Sequence, residues 1–211
     1  MNDFAILLDG EMTATPRLKA QLEGRRVIAA DGGIRHAEAL DVDPELWLGD
    51  FDSAPSNVPA RYAGLARQSY PRDKDLTDGE IAVNAALASG ATKLLLVGAF
   101  GGRRADHALL HKLLAMRLAG DGIAVLLSDG MQEGRPILPG RHEFDLPQNT
   151  VFSLIGFAAL SGLSITGAKW PLDNVEVALG SSLTLSNEVA GRLAVTLEKG
   201  QALMIVQTGT G

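Results

Sequence analysis

The chain reads as α/β plus all-β: an N-terminal parallel-sheet α/β (Rossmann-like) domain followed by a C-terminal antiparallel β-sandwich domain. Three observations predict this. Over the first 130 residues, short apolar runs alternate with helical patterns, as in a parallel sheet with helices on both faces. Beyond about Gly130, Pro, Gly and Asn punctuate short alternating runs with no helical period, as in a small sandwich. The texture changes near Gln132 to Pro136, which divides the chain into residues 1–132 and 133–211.

Phe4 to Leu8 forms the first apolar run, and Thr15-Pro16 then opens a helix with Thr at the N-cap and Pro at the first helical position. Val27 to Ala30, Leu46 to Leu48, Lys93 to Val97 and Ile123 to Leu127 are the next strands. Helical patterns lie at about Ile34 to Leu40, Thr77 to Ala88 and Asp106 to Leu118. In the second part, strands are expected at His142 to Leu146, Val151 to Phe157, Leu163 to Thr166, Ser182 to Ser186, Arg192 to Leu197 and Ala202 to Gln207.

Composition bounds the chemistry. Hydrophobic content of 46% and charged content of 21% suit a globular protein with a packed core. The absence of cysteine excludes disulfides, thiolate metal sites and cysteine nucleophiles. With no leader pattern and no apolar run of membrane-spanning length, the expectation is a soluble cytoplasmic protein that does not engage a membrane. A net charge of −6 argues against a nucleic-acid partner, yet allows a polyphosphate ligand bridged by a divalent cation. No P-loop, no glycine-rich dinucleotide fingerprint, no zinc-like histidine spacing and no serine nucleophile elbow is present.

Ligands of open α/β sheets bind at the carboxyl ends of the strands, and four acidic or glycine-rich turns fall there. In Gly49-Asp50-Phe51-Asp52-Ser53 two carboxylates sit two residues apart and point to one side if the strand continues through them. Keeping both ionised calls for a cation, and oxygen ligands suit Mg²⁺. The plain alternative is a solvated turn. Asp31-Gly32-Gly33 offers glycines either for a tight turn or for close backbone approach to a ligand. Gly101-Gly102 and Ser128-Asp129-Gly130 are the other two turns.

Asp73-Lys74-Asp75-Leu76-Thr77-Asp78-Gly79-Glu80 carries a capping-box spacing at Thr77 and Glu80. Asp78 suits the helix dipole there and equally suits a third metal carboxylate; amides at that helix start could hold a phosphate. In Gly101-Gly102-Arg103-Arg104-Ala105-Asp106-His107, Asp106 reads as an N-cap and His107 as a helix-start histidine. The two arginine forks suit phosphate oxygens, against a surface salt bridge as the alternative.

Taken in order, these motifs resemble the thiamine pyrophosphokinase family. Asp31-Gly32-Gly33, Gly49 to Ser53, Lys74-Asp75-Leu76-Thr77-Asp78 with Glu80, the Gly-Gly-Arg-x-Asp-His-like loop, Gly167-Ala168-Lys169-Trp170-Pro171-Leu172 and Ser186-Asn187-Glu188 span nearly the whole chain. The resemblance implies pyrophosphoryl transfer from ATP to the hydroxyl of thiamine, giving thiamine diphosphate and AMP with Mg²⁺. It implies that residues 1–132 bind nucleotide and 133–211 bind thiamine. Asp50, Asp52 and Asp78 become metal and catalytic carboxylates, and Arg104 the phosphate arginine. ATP would meet Asp31, Gly32, Gly33, Lys74, Asp75, Thr77, Gly101, Gly102, Arg103, Asp106 and His107. Ser186, Asn187 and Val189 would meet thiamine, with Val189 in place of a usual aromatic. The family is homodimeric, with the active site at the subunit interface. A pyrophosphokinase acting on a pterin alcohol and a non-catalytic nucleotide sensor are the competing readings.

Overall fold

The computed structural model describes residues 2–52, 58–71 and 75–209. The chain divides into two compact units, Met1–Met131 and Gln132–Gly211. The expected contact Lys74, like Ser53 and Asp73 of the quoted motifs, lies outside the described residues.

The first unit is built on six parallel strands: β1 (Asp3–Leu7), β2 (Arg26–Ala30), β3 (Leu46–Gly49), β4 (Arg67–Ser69), β5 (Lys93–Val97) and β6 (Ala124–Ser128), in the order β6-β5-β1-β2-β3-β4. The chain runs outward from β1 through β2 to β4, then returns to add β5 and β6 on the other side of β1. That reversal makes the carboxyl ends of the central strands the natural ligand rim.

Alternate residues of the strands feed the two faces. Ala5, Leu7, Val27, Ala29, Trp47, Leu95 and Val97 form one buried cluster with Leu18 and Leu22 of α1 (Pro16–Leu22). Phe4, Ile6, Ile28, Leu48, Leu94 and Leu96 are also buried. Burying such a side chain contributes about 1.5–3 kcal/mol, which is why continuous apolar runs rather than alternating ones mark these strands. Thr15 caps α1 as expected, accepting from the Leu18 amide at 3.2 Å.

After β2 the expected helix starts late. Asp31–His36 forms a 3₁₀ turn, and only Ala37–Leu40 (α2) is α-helical. Gly33 explains the tight turn: a Cβ there would overlap the carbonyl oxygen of Leu7, so the chain crosses β1 at a distance only glycine allows. Helices α3 (Asp78–Ala88) and α4 (Ala105–Gly120) complete the unit.

The second unit is antiparallel: β7 (Gln132–Ile137), β8 (Gly140–Phe144), β9 (Val151–Gly156), β10 (Leu160–Ala168), β11 (Leu172–Val177), β12 (Asn187–Leu197) and β13 (Ala202–Gln207). The long β12 pairs with β9 at Asn187–Glu188, with β10 at Val189 and again at Ala194–Thr196, and with β8 at Leu193–Leu197. One strand thereby serves both layers, a sandwich corner. Phe152, Leu154, Leu163, Ile165, Val189, Leu193, Val195 and Met204 fill the core between them.

Ser182 to Ser186, expected as a strand, is a turn. Its backbone bonds are local or made to β9: Leu185 N–H donates to the Ser182 carbonyl at 3.1 Å, and Leu154 N–H to the Thr184 carbonyl at 2.9 Å. The Thr184 hydroxyl returns to the Leu154 carbonyl at 2.6 Å. Apolar alternation at Leu183 and Leu185 imitated a strand, yet both side chains are exposed.

Candidate functional site

Three carboxylates meet at the rim of the parallel sheet. Asp31 follows β2, Asp50 follows β3, and Asp78 opens α3; one oxygen from each lies within 4.8 Å of the other two. Asp31 is buried and the other two half-buried. Neighbouring parallel strands place Asp31 beside Asp50, since Ala30 pairs with Leu48. The Thr77–Glu80 capping box places Asp78: the Thr77 hydroxyl accepts from the Glu80 amide at 3.2 Å, and Glu80 Oε2 accepts from the Thr77 amide at 3.3 Å. Such reciprocal caps typically contribute about 1 kcal/mol and define where the helix begins.

The membership of this trio differs from the sequence expectation. Asp31, expected beside the nucleotide, is within it; Asp52, expected to hold metal, is exposed and outside it. Extended backbone through Asp50 and Asp52 would put both on one side, but Phe51 between them has φ 62° and turns the chain. The Asp52 amide instead donates to Asp50 Oδ1 at 3.1 Å. Left-handed backbone at Phe51 and at Asp31 (φ 42°) costs on the order of 1–3 kcal/mol each and clusters at working sites. Three hard oxygen donors at this spacing fit Mg²⁺, which takes few protein carboxylates and completes its shell with water and phosphate.

Beside the trio, Thr77 is committed to its cap, and Asp75 stands exposed just before it. Gly32 and Gly33 are buried in the 3₁₀ turn. The loop from β5 to α4 carries Gly101, Gly102, Arg103 and Arg104, and the first turn of α4 carries Asp106 and His107. Arg104, not Asp106, occupies the N-cap position of α4. Asp106 lies in the first turn and accepts two hydrogen bonds from Arg104, from Nε at 3.0 Å and Nη2 at 2.7 Å. The Arg104 guanidinium holds the Asp106 carboxyl well below the usual carboxylate range. Among the described residues, Arg103 makes no ion pair and is exposed. His107 meets His111 edge-on at 6.4 Å. Burial first, then the neighbouring cations, pushes the His111 imidazole down to about 4.

The loop after β1 escaped the sequence reading. Arg35 donates to the Asp9 and Gly10 carbonyls at 2.6 and 3.0 Å and pairs with the Asp9 carboxylate at 2.6 Å, while His36 Nε2 meets the Gly10 carbonyl at 2.8 Å. Asp9-Gly10 at the end of an apolar run is the same signature as Asp31-Gly32 and could have revealed it.

In the second unit, Ser186 adopts φ 54° and its amide donates to Ser153 Oγ at 2.9 Å. Asn187 is buried; its Nδ2 donates to the Trp170 carbonyl at 2.7 Å and its Oδ1 accepts from the Trp170 amide at 3.1 Å. Val189, expected to face thiamine, is 2% exposed and packs in the sandwich core, because β12 turns that side chain inward. The exposed aromatic beside this turn is Trp170, 52% exposed and held by Asn187, with Lys169 Nζ 4.7 Å from its ring centre.

A family model described as the thiamin pyrophosphokinase catalytic domain matches residues 20–127, and one described as the thiamin pyrophosphokinase vitamin B1 binding domain matches residues 141–202. A thiamine pyrophosphokinase of Bacillus subtilis (strain 168) is 32% identical over 214 residues, covering 99% of this chain and all of that protein. The crystal structure of thiamine pyrophosphokinase from Bacillus subtilis superposes with a TM-score of 0.86 at 26% identity, over 99% of this chain and 100% of that one. That of Geobacillus thermodenitrificans superposes at 0.82 with 26% identity, over 99% of each chain. The fold extends to thiamin pyrophosphokinase from Candida albicans, at 0.81 and 14% identity over 97% of this chain and 89% of that one.

Proposed function

This chain belongs to the thiamin pyrophosphokinase family, and on that premise we propose how this diphosphotransferase works: Asp31, Asp50 and Asp78 hold Mg²⁺ with ATP, and thiamine is the acceptor. The observation that carries the reading is the meeting of these three carboxylates at the carboxyl rim of the parallel sheet. When bound, the cation offsets the charge of the triphosphate.

The chain's own residues do the rest. The carboxylate cluster would hold the cation that the triphosphate meets, and Arg104 stabilises charge on the transferred group and on departing AMP. The thiamine hydroxyl oxygen bonds to the β-phosphorus, and the bond from that phosphorus to the α–β bridging oxygen breaks. AMP leaves with that oxygen, and the hydroxyl proton passes to Asp50 or Asp78. Gly32, Gly33, Asp75, Thr77, Gly101, Gly102, Arg103, Asp106 and His107 surround the nucleotide. The Ser186–Asn187 turn receives thiamine, with Val189 supporting it from the core.

Support for a homodimer comes from the second unit, where Leu179, Leu183 and Leu185 are 67, 56 and 45% exposed. Apolar surface of that kind marks an association face. A partner copy would complete the active site. No described helix is long and apolar enough to cross a membrane, and with ATP as donor the reaction belongs to the cytoplasm.

The test is AMP release from ATP with Mg²⁺ and either thiamine or hydroxymethylpterin. Thiamine alone should support it, with one thiamine diphosphate formed per AMP. Release with the pterin alone would establish the pterin reading; nucleotide binding without AMP from either alcohol would establish a sensor. Sedimentation at assay concentration should give twice the chain mass, and a monomer that remains fully active would remove the shared site.

A further inference from the structure

We propose that Trp47 is the positioning residue of the carboxylate cluster: one buried indole holds both loops that carry Asp31 and Asp50. This deepens the cation-site reading above and rests on it. Trp47 is the second residue of β3 and is 2% exposed. Its Nε1–H donates to the backbone carbonyl of Asp31 at 2.8 Å, inside the protein. Its ring meets Phe51 edge-on, with centroids 5.0 Å apart and planes at 87°. Asp31, a member of the cluster, and Phe51, next to Asp50, both have left-handed backbone, at φ 42° and 62°. Such conformations persist only where the surroundings over-determine them. For Asp31 the carboxylate tolerates the region; for a bulky Phe it is an outlier, so an external clamp is required.

The indole is itself held. The guanidinium of Arg67, on β4, lies 4.5 Å from the Trp47 ring centre. The two loops also touch directly: a Cβ on Gly49 would stand 3.0 Å from Asp31 Cβ, so glycine lets them close. An aromatic serving only to fill the core needs no N–H. Here the N–H reaches the backbone of a cluster residue, while the ring edge fixes the turn that separates Asp50 from Asp52. Groups one step removed from a metal ligand commonly set its geometry, and their loss weakens metal affinity about 10- to 100-fold.

The experiment measures Mn²⁺ affinity by the loss of free-ion electron spin resonance signal beyond that of a protein-free blank, with and without a non-hydrolysable ATP analogue. Trp47→Phe keeps a ring and removes the N–H; Mn²⁺ affinity should fall about tenfold or more. Tyr62→Phe is the control for general destabilisation: it removes a hydrogen bond to the Val42 carbonyl in the same apolar cluster and should leave Mn²⁺ affinity unchanged. Should Trp47→Phe not fold, Arg67→Met removes the clamp on the indole from the exposed side and should weaken Mn²⁺ severalfold. Wild-type affinity in the folded Trp47→Phe protein, or in Arg67→Met where that one must decide, overturns the role of Trp47 alone. Absence of Mn²⁺ binding by the wild type with the nucleotide overturns the cation site, and this proposal with it.

Discussion

Replacing Asp50 or Asp78 with asparagine should lower kcat by about a thousandfold, some 4 kcal/mol of lost stabilisation at roughly 1.4 kcal/mol per decade. Asparagine keeps the size of the side chain and one acceptor oxygen but removes the charge that a hard cation requires. Asp31→Asn should fall with them, because its carboxylate belongs to the same 4.8 Å group. Asp52→Asn should retain much more activity, being exposed and outside that group. The Mg²⁺ concentration for half-maximal rate should rise in the three cluster variants. Thermal melting of Asp50→Asn without added metal should hold or rise, because one of three neighbouring like charges is gone. If Asp52→Asn proves more damaging than Asp31→Asn, the cluster is not the cation site.

Arg104→Ala should reduce kcat/KM about a hundredfold, the usual consequence of removing one charge-stabilising donor from a transfer site. Two of its donors already face Asp106, so the opposite edge of the guanidinium is presented outward. The pair is 64% and 65% exposed, and exposed ion pairs contribute little to stability. Melting should therefore be unchanged in Arg104→Ala, and Arg104→Lys should recover only part of the loss because an ammonium lacks the planar fork. Arg103→Ala should cost less, since no carboxylate orients that side chain among the described residues. A larger loss in Arg103→Ala than in Arg104→Ala would transfer the role to Arg103.

Much of this was legible without coordinates. The apolar runs at Phe4, Val27, Leu46, Lys93 and Ile123 became strands because burial on both faces of a parallel sheet demands unbroken apolar sequence. Thr15-Pro16 and Thr77 with Glu80 marked their helix starts because capping is a contact between near neighbours. The short 3₁₀ passage after Asp31 was missed because its cause is distant: Gly33 presses against Leu7, twenty-six positions earlier.

The same distinction governs the site. Sequence by itself determined the succession of a parallel-sheet part and an antiparallel part and the supply of acids and arginines at strand ends, because each is written in local spacing, while the order of the motifs carried the resemblance to the family. Only the tertiary structure decided which carboxylates meet. Asp31 joins Asp50 because β2 lies beside β3, and Asp52 leaves because Phe51 turns left-handed against Trp47. Tertiary packing likewise turned Val189 into the core and left Trp170 exposed on the buried Asn187. Strand neighbours and a strained turn are held by residues far apart along the chain, and spacing along one segment carries no record of them.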